Sequence, residues 1–483
     1  MASDLSTNDM KPFKLLTSSA HSHGPRLGRL SLPNRDIVET PHYLAISSRG
    51  VVPHLSQDNF KYHTQIKGAY LGLEDFIESA SRRAPPVLKL APENGKSPLK
   101  TFTALPNQTI SCLAPRRVPS VKPPNPSRKS EQAPNRSIVI STSMGFQPLD
   151  VDEYIEDVRF LEPDLAVAMC DSVGGEDLGR KRMEKMVDRT TGWTRRLLNQ
   201  TSTLGDGGED NSLHVLAPVL AIPCNSQSQY LNDLQDSDYS SLIGLALYDS
   251  ACALDLPLGL GRLLRLTMDE PSTPHKVLDE IARGIDLFAL PFIGVATDAG
   301  LALNFSFSPQ KDASNNGSNS NQKPLAIDMW SKDHAIDLSP LHQNCPCYTC
   351  ATHHRAYIHH LLEAKEMLAW VLLQIHNHQV IDQFFEEVRT SIASRNFEQD
   401  ADAFQKAYES EFPKATGMGP RLRGYQMKSE GPGEPKKNPI AYNTLDDVRE
   451  RIADAPIAPS QAQKRATWRN KALVSSEYQN QMN

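Results

Sequence analysis

Residues 345–350 read Cys-Pro-Cys-Tyr-Thr-Cys, and three thiols within six residues can converge on one metal ion. Zinc holds thiolates at about 2.3 Å, and a tight loop can bring three sulfurs to that distance from a common centre. The ion then needs a fourth ligand, and His353, His354, His359, His360, His376 and His378 all follow closely in the chain. Three thiolates and one imidazole close the tetrahedron and leave no position for water, so the expected Zn2+ is structural, one per chain. Such a site contributes on the order of 10 kcal/mol to local folding. The competing reading is three reduced, inert cysteines.

Spacing does not choose among the histidines. His353 and His354 adjoin the thiols, but ligands so near in sequence constrain the fold little. If 355–376 formed one unbroken helix, His376 would lie roughly 30 Å from the thiols at about 1.5 Å per residue. Ligation by His376 therefore requires a chain reversal near Glu363–Met367, where neither Gly nor Pro marks a turn.

The chain that must position these residues has 483 residues, 39% of them hydrophobic, and a net charge of −6. Pro and Ser are plentiful, which suggests a core diluted by polar segments. Lys and Arg are scattered, so any nucleic-acid contact needs a local patch rather than the overall field. Arg180, Lys181, Arg182 and Lys185 are candidate phosphate contacts; a solvated helix face is the ordinary alternative. Seven cysteines without a disulfide-like framework suggest a reducing compartment. The first residues lack the pattern of a signal peptide, and no apolar run approaches bilayer length. The expectation is a cytoplasmic protein without integral membrane association. Peripheral attachment to the mitochondrial outer membrane through a partner stays open.

Candidate strands are 43–47, 137–141, 164–169, 213–220, 241–247, 261–268 and 286–292. Their hydrophobicity is continuous rather than alternating, which suits parallel strands covered by helices. One crossover helix is well marked: Thr273 can cap it, Pro274 suits its first turn, Val277, Leu278 and Ile281 form one face, and Gly284 closes it. Repeated strand–helix units predict an α/β fold, a (β/α)8 TIM barrel, with a doubly wound sheet as the alternative. Beyond residue 355 the pattern turns helical, and Tyr357, Leu361, Ala364, Leu368, Leu372 and Ile375 would share one buried face. Segments 114–136, 307–323 and about 414–443 have little to bury and are expected to be flexible. The expected organisation is a flexible N-terminus 1–24, a barrel body 25–306 carrying the insert 114–136, and a second insert 307–323. A zinc-binding helical subdomain with the closing barrel helices follows at 324–395. A helical, largely flexible tail occupies 396–483, with a short helix over 444–453.

Cys-x-Cys-x-x-Cys, then Arg355-Ala-Tyr-Ile-His-His-Leu and Glu366-Met-Leu-Ala-Trp-Val-Leu-Leu-Gln-Ile-His376-Asn377, resembles the zinc subdomain of tRNA-guanine transglycosylases. The resemblance implies His376 as the fourth ligand. It extends upstream to Gly28-Arg-Leu-Ser-Leu-Pro, to Glu39-Thr-Pro-His-Tyr-Leu-Ala-Ile-Ser-Ser-Arg-Gly50 and to Val277–Phe288, covering roughly 25–395. It implies a (β/α)8 barrel with an inserted zinc subdomain, and exchange of a guanine in tRNA for a deazaguanine.

That reaction needs a carboxylate nucleophile to hold the RNA covalently while the bases exchange. In catalytic members an Asp follows Gly-x-Asp-x-Phe; here Gly284-Ile-Asp-Leu-Phe288 is followed by Ala289, whose methyl group cannot do this chemistry. The family's next Pro-Thr-Arg is replaced by Ile293-Gly-Val-Ala-Thr297, and no Asp-Ser-Gly-Gly-Phe-Gln occurs between 60 and 145. Asp171 lies near the place of a base-recognising Asp. Asp286 matches the family's own non-nucleophilic Asp, for which a structural hydrogen bond is expected, and Asp298 lies well past the strand. The resemblance thus implies a eukaryotic, non-catalytic member, which Val52-Pro-His-Leu and Arg265-Leu-Thr-Met-Asp-Glu-Pro-Ser-Thr-Pro also fit. Such a chain would pair with a catalytic transglycosylase subunit and help position tRNA while queuine replaces the wobble guanine of GUN anticodons. The alternatives are an active transglycosylase with a displaced carboxylate, and a zinc-stabilised scaffold unrelated to tRNA.

Overall fold

A computed structural model describes residues 11–16, 24–77, 85–90, 96–121, 136–142, 145–172, 178–202, 213–236, 239–307 and 322–420. The strands are β1 (Phe13–Leu15), β2 (Gly28–Leu30), β3 (Val38–Thr40), β4 (His42–Ile46), β5 (Gly68–Gly72), β6 (Ile110–Ala114), β7 (Ser137–Thr142) and β8 (Gly145–Asp150). They continue as β9 (Leu165–Val167), β10 (His214–Val219), β11 (Leu242–Leu247), β12 (Leu264–Thr267), β13 (Leu287–Ala289), β14 (Leu301–Leu303) and β15 (Ala326–Asp328). The helices are α1 (Gln57–His63), α2 (Pro98–Thr103), α3 (Val151–Leu161), α4 (Arg180–Ser202), α5 (Ser228–Asp236) and α6 (Pro274–Ala282). Then come α7 (Pro291–Asp298), α8 (Tyr348–Thr352), α9 (Arg355–Glu363), α10 (Met367–Ser394) and α11 (Phe397–Ala407).

Eight strands close into a barrel in the order β4-β5-β6-β9-β10-β11-β12-β13, every neighbour parallel. The fold is the expected (β/α)8 barrel. Its interior is a packed core, with Leu44, Tyr70, Leu165, Leu216, Leu266 and Leu287 in one apolar cluster. The antiparallel sheet β1-β2-β3 feeds directly into β4, and its Phe13, Leu30 and Val38 join that cluster, so it closes the N-terminal end. Helix α6 begins at Pro274 after Thr273, buries Val277, Leu278 and Ile281, and is followed by Gly284 at φ 87°.

Six of the seven strands read from hydrophobic runs lie in the barrel. The seventh, 137–141, instead forms the antiparallel hairpin β7–β8 outside it. Two barrel strands carry no strong apolar run: β5 is Gly-Ala-Tyr-Leu-Gly and β6 is Ile-Ser-Cys-Leu-Ala. Their small residues suit close packing (a Cβ on Gly68 would stand 2.5 Å from Leu44) but weaken the hydrophobic signal. The run 286–292 is strand only to Ala289, because Pro291 opens α7. Within the expected insert 114–136, residues 115–121 are built into the fold, and Val118 is buried. At the edges of 307–323, Phe307 is buried and Lys323 bridges Tyr408. The expected helix 444–453 lies outside the described residues. Helix α11, in the expected tail, buries Phe397 and Phe404, the latter 5.0 Å from His275 of α6. No helix among the described residues is long and apolar enough to cross a membrane.

Candidate metal centre

Cys345, Cys347, Cys350 and His376 come together, their donor atoms all within 4.8 Å of one another. The Sγ atoms of Cys345, Cys347 and Cys350 stand 3.7, 3.7 and 3.4 Å from Nδ1 of His376. A tetrahedral zinc with ordinary bond lengths sets sulfur–nitrogen separations of about 3.6 Å, so the donor set has both the chemistry and the spacing for that ion. Cys347 is the N-cap of α8, and its sulfur accepts the backbone N–H of Cys350 at 3.3 Å.

His376 reaches the thiols because the chain reverses between α9 and α10. Lys365 adopts φ 58°; its N–H donates to Leu362 O and that of Glu366 to Leu361 O. These two bonds make a Schellman motif with Lys where Gly is usual, which is why no glycine announced the turn. The single buried face expected across this region is accordingly interrupted: Ala364 and Leu368 are exposed at the bend. Thr349 Oγ1 donates to Leu372 O at 2.7 Å and pins α8 to α10.

The imidazole is held from behind. His376 Nε2–H donates to Leu303 O at 3.0 Å, leaving Nδ1 free as a ligand. The neighbouring Asn377 accepts from Leu303 N and donates to Thr297 Oγ1 and Leu301 O, locking α10 to α7 and β14. Burial opposes charge on His376, but hydrogen bonds that the protonated ring donates to the sulfurs of Cys345 and Cys350 outweigh it and push its pKa up to about 9.

The other candidate histidines have different work. His353 stacks on Tyr357, His354 caps α9 through Tyr357 N, and His359 bonds to Met329 O. His360 is exposed, and His378 lies between Tyr43 Oη and Gln374. Arg355 braces a loop, bonding to Pro340 O, Leu341 O and Asp337.

The sequence model of the family described as queuine tRNA-ribosyltransferase matches residues 21–410. The chain is 35% identical over 441 residues to the queuine tRNA-ribosyltransferase accessory subunit 2 of Schizosaccharomyces pombe, covering 91% of this chain and 94% of that protein. It is 28% identical over 399 residues to the accessory subunit 2 of Drosophila melanogaster, covering 79% of this chain and 89% of that one. The chain belongs to the queuine tRNA-ribosyltransferase family.

In this family member the positions singled out for base exchange hold no free carboxylate pair. Ala289 ends β13 at the barrel's C-terminal mouth, 2% exposed among apolar neighbours. Asp286 is buried; it pairs with Arg26 and accepts Arg265 N–H at 2.7 Å, the expected structural role. Asp298, at the end of α7, pairs with His54 at 2.6 Å. Asp171 does stand at the mouth just beyond β9, but Arg182 and Arg189 each hold one of its oxygens at 2.9 Å. Arg182 thus faces a carboxylate, and Arg180 pairs with Glu184, while Lys181 and Lys185 are exposed. The replaced segment Ile293–Thr297 lies within α7 and buries Ile293, Ala296 and Thr297.

Sequence reasoning missed one polar cluster at the mouth. Arg117 reaches Glu74 at 3.0 Å and Asp75 at 3.2 Å, and Ser141 N donates to Glu74 at 2.7 Å. The Arg116-Arg117 doublet one residue beyond the end of β6 was the available signal.

Proposed function

We propose that this chain is the non-catalytic subunit of a heterodimeric queuine tRNA-ribosyltransferase. It pairs with the catalytic queuine tRNA-ribosyltransferase subunit and helps position tRNA while queuine replaces the wobble guanine in the GUN-anticodon tRNAs for Asp, Asn, His and Tyr. The observation that carries this reading is Ala289, a buried methyl group where the family resemblance places the nucleophile. Covalent exchange needs a carboxylate there, and the candidate replacements are held by other groups: Asp171 by two arginines, Asp286 by Arg26 and Asp298 by His54.

Cys345, Cys347, Cys350 and His376 hold one structural Zn2+, a role supported by their mutual spacing and by the carbonyl that fixes the His376 tautomer. The ion keeps the helical subdomain in shape as a docking face. That face is supported by Ile336 and Leu338, 89% and 73% exposed on a loop braced by Arg355 and Asp337 at the start of α9, with Met367 and Leu368 half-exposed at the bend after α9. Rigid, exposed aliphatic side chains suit a partner surface. A paired surface also explains why barrel and subdomain persist without the nucleophile.

Reconstitution tests the proposal. Mixed with a catalytic subunit, the chain is expected to form a 1:1 complex with guanine-exchange activity in tRNA, and Ile336→Asp with Leu338→Asp to weaken it. Absence of a complex, with full activity in the catalytic subunit alone, would sink the reading.

A further inference from the structure

A (β/α)8 barrel takes its ligands at the C-terminal mouth, where the loops after the strands converge. Here the segment Pro115–Val121, leaving β6, crosses that mouth. Val118 is 4% exposed and joins the interior cluster of Tyr70, Val167, Leu266 and Ala289, with Ile46 and Met268 packed beside it. Ala114, Ala246 and Ala289, all small and at or next to the C-terminal ends of β6, β11 and β13, share that cluster with Val118 and leave room for a valine side chain.

The segment is fastened at both ends. On the β5 side, Tyr70 Oη donates to Arg116 O at 2.9 Å, Arg117 N donates to Glu74 at 2.8 Å, and the Arg117 guanidinium bonds Glu74, Asp75 and Ser141 O. Glu74 N returns a bond to Pro115 O at 3.3 Å. Gly72 allows the approach: a Cβ there would stand 2.7 Å from the Arg117 backbone. On the opposite side, beyond β12, Ser120 N donates to Glu270 at 2.6 Å. A part-buried ion-pair cluster with backbone bonds at the first anchor, and an exposed backbone-to-carboxylate bond at the second, hold this segment in place, unlike an ordinary surface loop.

We infer that the barrel mouth of this chain is a self-occupied site: the strap Pro115–Val121 fills it, Val118 takes the place of a ligand, and no purine base enters. The loss of the nucleophile and the sealing of the pocket are then one change, because a carboxylate at 289 would be buried in the apolar cluster beneath Val118 without a partner. The inference concerns the isolated chain and stands whether or not the chain pairs with a catalytic subunit.

Two measurements on the full-length, zinc-loaded chain test it. Calorimetric titration with guanine should give no binding heat; saturable binding by the unmodified chain would overturn the inference. In the second, Ala289→Cys places a thiol under the strap, and its reaction with dithiobis-nitrobenzoate is timed while circular dichroism confirms the fold. The thiol should stay protected, and adding Arg117→Ala should speed its labelling roughly tenfold or more by releasing one anchor. If Arg117→Ala does not fold, Glu270→Ala, which releases Ser120, should give the same acceleration. Rapid labelling with the strap intact, or no acceleration in a folded anchor variant, would show that the strap does not close the mouth.

Discussion

Lys365 carries the bend that delivers His376 to the three thiols. A lysine at φ 58° lacks the freedom of glycine, yet the two Schellman bonds require that conformation. Lys365→Gly should therefore raise stability by about 1 kcal/mol without changing metal content, measured by urea unfolding of the zinc-loaded protein. Cys347 has two duties, as a donor and as the cap of α8. Cys347→Ala should abolish stoichiometric zinc by elemental analysis and weaken pairing with the catalytic subunit; retention of one zinc per chain would refute the ligand assignment. Asp286→Ala should be far costlier than its distance from the metal suggests. It strands buried Arg26, and the expected loss is about 3–5 kcal/mol in denaturant unfolding.

At the scale of elements, α10 joins the metal cluster to the barrel. His376 and Asn377 reach β14, and the next residue, His378, meets Tyr43 of β4 at 3.0 Å. Burial pushes His378 down to about 3, so it stays neutral in the folded chain at any ordinary pH. The unfolded chain takes up a proton near pH 6.5 that the folded chain refuses, so this group's stabilisation is present above that pH and is lost as pH falls towards 3. Between pH 7 and 5 the loss should be about 2 kcal/mol, and folded His378→Gln should show a correspondingly shallower decline in denaturant melts with zinc saturating. Legibility also varies by element. Strands rich in Leu and Val declared themselves, whereas β5 and β6 did not, because their Gly, Ala, Ser and Cys answer to close packing. The thiols were legible from spacing. The fourth ligand was not, since a non-glycine turn hid the reversal and only the family resemblance selected His376. The strap after β6 reads in sequence as part of a polar insert; its buried apolar residues, Val118 and Val121, are outweighed locally by Pro, Arg and Ser.

The whole molecule is a (β/α)8 barrel of the queuine tRNA-ribosyltransferase family, and in the proposed reading the centre of that barrel has changed use. One end is closed by the sheet β1-β2-β3, the other by the chain's own strap, and the polar groups at the mouth are paired with one another. What remains open is the outside, above all the rigid loop bearing Ile336 and Leu338 beside the metal-bearing helices. Under the function proposed above, this chain offers surface and a partner performs the exchange. The most direct test is incorporation of labelled guanine into a GUN-anticodon tRNA by the purified, zinc-loaded chain alone, with a catalytic subunit as the positive control. The account predicts no incorporation above the protein-free rate, and none from Ala289→Asp, whose carboxylate would lie buried beneath Val118. Turnover by the isolated chain would contradict it.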